Sequence, residues 1–154
     1  MLCGRRTTLA KLQTPLTMSG RGNPDWKWVA AIVLIHFVVT IVHGVAHTRA
    51  QVPLSAAANI FVFVVIVIGP WFGLILTRPF PRVGSLLIAS TMAASFIFGL
   101  VNHFVLASPD HISHIDSMWR PLFATTAVLL AASELLGAAL ATRLLKAVIT
   151  ARTP

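Results

Sequence analysis

Four long apolar blocks alternate with short polar ones along this chain. The blocks cover residues 26–47, 56–76, 84–106 and 121–145. Each reaches the roughly 20 apolar residues that a helix needs to cross a bilayer, and each is longer than an ordinary buried core helix. The pattern predicts an all-α integral membrane protein with four transmembrane helices in an up-and-down bundle.

The blocks carry their own punctuation. Asp25 stands where a helix cap is wanted, and Trp26, Lys27 and Trp28 suit the headgroup region. Gly69-Pro70 should kink the second span, because proline removes a backbone donor and clashes with the preceding turn. Thr77 to Arg82 makes a short basic connection stiffened by Pro79 and Pro81. The third span is rich in small residues, among them Ser85, Ala89, Ser95 and Gly99, which allow helices to approach closely in lipid. Pro121 suits the first turn of the fourth span. Residues 1–25 lack apolar periodicity and read as a disordered cytoplasmic leader, with Met18 an equal candidate start. Residues 147–154 read as a short cytoplasmic tail, so the membrane domain is 26–146. Arg5-Arg6-Thr7-Thr8-Leu9 matches a twin-arginine export signal only at its start, since Gln13-Thr14-Pro15 is too polar for the apolar core.

Composition agrees with lipid as the solvent. Hydrophobic residues make up 56% and charged residues 10%, against roughly 25% charged in a soluble domain. The net charge of +8 does not point to nucleic acid, because the basic residues flank the apolar blocks. It follows the positive-inside rule instead. With the N-terminus inside, Arg5, Arg6, Lys11, Arg21, Lys27, Arg78, Arg82, Arg143, Lys146 and Arg152 lie on the cytoplasmic side, and only Arg49 and Arg120 lie outside. The expectation is therefore N-in/C-in, in a bacterial inner membrane. Cys3 is the single cysteine. It excludes a disulfide framework and a cysteine-based zinc site within one chain.

This topology gathers five histidines at the outer face. His43 and His47 end the first span, His103 ends the third, and His111 and His114 lie in the third connection with Asp110 and Asp116. Residues four apart share a helix face, so His43 and His47 can offer two imidazoles to one ion. Imidazole suits zinc and copper, and a carboxylate can ligate or orient a ring. The glutamate of a HExxH protease is absent, since the stretch reads His43-Gly44-Val45-Ala46-His47. Deeper in the spans, His36 and Glu134 fall at similar depth on spans that should be neighbours, and are expected to pair.

The expected function is transition-metal binding at the outer face by His43, His47, His103, His111 and His114, with Asp110 and Asp116 in support. One alternative is a b-type haem electron carrier using His43 or His47 with His103. Another is an accessory subunit of a larger membrane complex or a homo-oligomer, with no catalysis. A membrane enzyme acting on a lipid-soluble substrate is a further reading, but no motif fixes a reaction. A pore is disfavoured, because the spans lack repeated polar faces.

Overall fold

The computed structural model describes residues 24–151. Within them the chain is helical, with no strand. Four helices are long and apolar enough to cross a membrane: α1 Pro24–Arg49, α2 Ala56–Leu76, α3 Pro81–Val105 and α4 Arg120–Thr150. Most of the expected leader and the last three residues of the tail lie outside the described residues.

The helix ends follow local chemistry. Ser55 caps α2, its hydroxyl accepting from the Ala58 amide at 3.1 Å. Pro81 and Pro121 take first-turn positions of α3 and α4, where a missing N–H costs nothing. Two boundaries differ from the sequence expectation. Asp25 sits inside the first turn of α1 rather than before it. Helix α4 continues past residue 145 to Thr150, because Arg143, Leu144, Leu145 and Lys146 are all good helix formers and no glycine or proline stops them.

The Gly69-Pro70 pair is absorbed in an unexpected way. Residues Val62–Ile68 form a π-helical stretch, and the Gly69 amide bonds back to the Val64 carbonyl, five residues earlier. Pro70 has no N–H to give the Ile66 carbonyl four residues before it. His36 on α1 fills that gap, its Nε2–H donating to the Ile66 oxygen at 3.1 Å. A histidine buried in an apolar helix thus completes a broken ladder on the neighbouring helix. We expect His36→Leu to lower stability by about 1–3 kcal/mol, the cost of a buried carbonyl left without a donor. Thermal unfolding of the detergent-solubilised variant checks it.

Helix α4 packs between α1 and α3, and α2 packs on α3. The partners run antiparallel. Val29 and Val33 near the start of α1, and Ile88 and Met92 near the start of α3, meet Ala141 and Leu144 near the end of α4 in one core cluster. At the other end Ala46, Ile115 and Phe123 form a second cluster, with the α3–α4 connection folded over it. Between α2 and α3 the seam is made by glycines. A Cβ added at Gly84 would lie 2.6 Å from the Gly73 carbonyl oxygen and 2.3 Å from the Thr77 amide nitrogen. Backbones this close need residues without side chains. Helix α2 reaches α1 chiefly through its second half, Gly69–Leu76, and stands away from it nearer the Ala56 end. At the closed end Trp26 Nε1–H donates to Thr77 Oγ1 at 2.9 Å, and Arg78 lies over the Trp26 ring at 5.6 Å.

Candidate metal centre

The last turns of α1 carry His43 and His47 on one face. Their rings meet edge to face, 4.8 Å between centroids. Helix α3 ends in a second π-helical stretch, Val101–Val105, which contains His103. The wider turn, like many π-bulges, sits at a place where side chains converge. His103 is buried, and its ring lies 4.9 Å from that of His43 and 5.7 Å from that of His47. One nitrogen from each of the three rings falls within 4.8 Å of the others.

The chain after α3 turns straight back into this cluster. The Ile112 amide bonds to the His103 carbonyl at 3.0 Å, which draws residues 106–112 over the helix ends. Asp110 is thereby buried, with Oδ1 at 3.3 Å from both His47 Nε2 and His103 Nδ1. Phe123 of α4 packs against all three rings at 4.9, 4.8 and 5.3 Å.

Hydrogen bonds orient the rings. The Thr126 hydroxyl and His43 Nδ1 share one at 2.8 Å. His103 Nδ1 faces two acceptors, the Asp110 carbonyl at 3.2 Å and its carboxylate, so it carries a proton. The His43 and His103 Nε2 atoms lie 3.2 Å apart, close enough to share one proton or one cation. For a tetrahedral ion with metal–nitrogen bonds of about 2.0–2.1 Å, ligand nitrogens stand about 3.3 Å apart. His47 Nδ1 is also buried and has no hydrogen-bond partner. Three imidazoles that could hold a metal ion thus converge here, beside Thr126 and Asp110 in the positions of outer-shell partners.

Not all expected site residues join it. His111 and His114 stay in the connection, their rings 5.7 Å apart. His111 Nδ1 accepts from the Ser113 amide at 3.2 Å, and His114 Nδ1–H donates to the Ser108 carbonyl at 2.6 Å. The inward positions of that loop go to Asp110 and to Ile115, which is packed on Phe123 and Ala46. Apolar burial wins those places and turns the two histidines outward. Asp116 is exposed and caps the turn before α4, accepting from the Met118 amide at 2.8 Å. The expected His36–Glu134 pair does not form among the described residues. His36 is taken by the Ile66 carbonyl, and Glu134 faces α3 beside Gly99 and His103. Sequence reasoning missed Thr126 and Phe123 altogether. Neither carries a signal beyond being helix residues of ordinary type, and only the α1–α4 packing gives them a role.

Beneath the cluster lies a cavity of about 310 Å³, reaching from His43, His47, His103 and Asp110 to Glu134. Below Glu134 it is closed, since Met92 fills the space over Gly137 and merges with the apolar core. No protein-family model, curated protein or solved structure matches this chain.

Proposed function

We propose that this chain is an integral membrane protein of four spans that binds one divalent transition-metal ion, zinc or copper, through His43, His47 and His103. One observation carries the metal reading: three imidazoles from two helices converge in a buried cluster, one nitrogen of each within 4.8 Å of the others. A cation can take the place of the proton shared by His43 and His103, and the third ring and Asp110 supply further donors. Three histidines leave a fourth position for Asp110, water or a ligand.

The membrane reading is supported by the apolar residues that the helices turn outward, among them Leu34, Ile35, Ile41, Phe63, Phe72, Ile97 and Leu136. A continuous exposed apolar surface is unstable in water and suits lipid. The distribution of lysine and arginine favours cytoplasmic termini, in a bacterial inner membrane, with the histidine cluster at the outer face.

The geometry fits haem poorly. Axial nitrogens of a bis-histidine haem stand about 4 Å apart on opposite faces of a macrocycle. Here His43 and His103 touch, and nothing separates them.

The test is substitution with cobalt(II). The detergent-purified protein should bind cobalt with the intense visible bands of a tetrahedral, nitrogen-rich site. Weak octahedral bands, or none, would count against the donor set. Asp110→Asn should keep the tetrahedral spectrum and weaken binding by roughly 10–100-fold, the usual effect of losing an orienting carboxylate. Competition titration with a chromophoric chelator measures it.

A further inference from the structure

The cavity below the histidines holds a feature that metal binding does not use. Glu134 is 2% exposed. Among the described residues it makes no hydrogen bond or ion pair, and it lies on the cavity wall. Its neighbour across the gap is Gly99, where an added Cβ would stand 3.9 Å from Oε2. A buried carboxyl without a hydrogen-bond partner is costly, and the natural remedy is a polar group inside the chamber.

The chamber has an entrance in its side wall. Helices α1 and α2 meet chiefly through Gly69–Leu76 and at the His36–Ile66 bond, and contact is sparse between these points and the histidine end. Gly44 and Thr48 of α1 and Asn59 of α2 are exposed at the edge of the cavity. A Cβ added at Gly44 meets nothing within 4 Å. The π-helical stretch and the His36 bond to Ile66 close the seam below.

We propose that this chamber binds a small neutral amphiphile, entering sideways between α1 and α2, with a hydroxyl group that donates to Glu134 and an apolar body along Ile66, Phe98 and Leu130. The lining contains no lysine or arginine, and Glu134 accepts from a neutral donor. The volume of about 310 Å³ equals on the order of ten waters, which limits the guest to a short chain and excludes a whole phospholipid. The proposal rests on the membrane reading of the fold and stands whether or not a metal is bound.

The probe is a photoreactive diazirine analogue of decanol, added to the protein in lipid nanodiscs, with adducts mapped by mass spectrometry. Adducts on Phe98 and Leu130 should appear and saturate. Decanol should compete them away, whereas decane should not. Glu134→Leu, which removes the polar anchor, and Gly44→Trp, which blocks the entrance, should each reduce them about tenfold. Far-ultraviolet circular dichroism and zinc content of the same samples show that the variants are folded. Adducts confined to the outward residues Leu129 and Leu135 would overturn the proposal. So would chamber adducts that decane removes as well as decanol, or that Glu134→Leu leaves unchanged. Loss of zinc binding with chamber labelling intact would refute the metal site alone.

Discussion

Alanine at His43 or at His103 should weaken zinc binding by more than about a hundredfold, a larger loss than removing a partner that merely orients a ligand. The two Nε2 atoms form the shortest contact of the cluster, and each ring is held by its own partner, Thr126 on one side and Asp110 on the other. Removing either ring breaks this pair and leaves two of the three imidazoles. His47→Ala should behave similarly, since His47 supplies the third nitrogen of the group. His111→Ala and His114→Ala should leave zinc affinity unchanged, because both rings are engaged with loop serines outside the cluster. Isothermal titration or chelator competition on the purified variants separates these cases. Equal losses for all five histidines would mean that the connection folds onto the cluster when metal binds.

The largest effect on stability should come from Gly84→Val. Any Cβ there meets backbone atoms, the Thr77 nitrogen at 2.3 Å, the Gly73 oxygen at 2.6 Å and the Leu76 carbonyl carbon at 2.7 Å. Backbone cannot swing aside as a side chain can, so α2 and α3 must separate along their seam. The expected cost is at least about 3 kcal/mol, at the upper end for overpacking. Gly137→Ala should cost less, because the atom it meets is the terminal methyl of Met92 at 2.3 Å, the far end of a flexible side chain. Gly44→Ala should be neutral. Unfolding midpoints measured in one detergent rank the three, and an unaffected Gly84→Val variant would refute the close packing of α2 on α3.

Much of this architecture was legible in the chain because long apolar runs leave few choices. Span 56–76 was read with the boundaries that α2 shows, since Ser55 caps one end and the Thr77–Arg82 connection stops the other. The face Ser95, Gly99, His103 was recognisable from its four-residue steps, and Ser95 and His103 are indeed buried. The gathering of His43, His47 and His103 followed from alternating the direction of the spans. What the sequence could not show depends on contacts between distant residues. The spacing of His111 and His114 is as suitable for a metal as that of His43 and His47, yet the loop spends its inward positions on Asp110 and Ile115. Depth alone suggested that His36 and Glu134 would pair. The deciding fact was instead the carbonyl that Pro70 leaves open at Ile66, a consequence of proline chemistry felt on a different helix.

The central claim is that three histidines from two helices hold one ion. Its most direct test is the metal content of the purified protein after zinc loading and exhaustive dialysis, measured by elemental analysis beside the His43→Ala/His103→Ala double variant. We predict one zinc retained per chain in the unmodified protein and none in the variant. The same zinc content in both, or no retained zinc in either, would contradict the account.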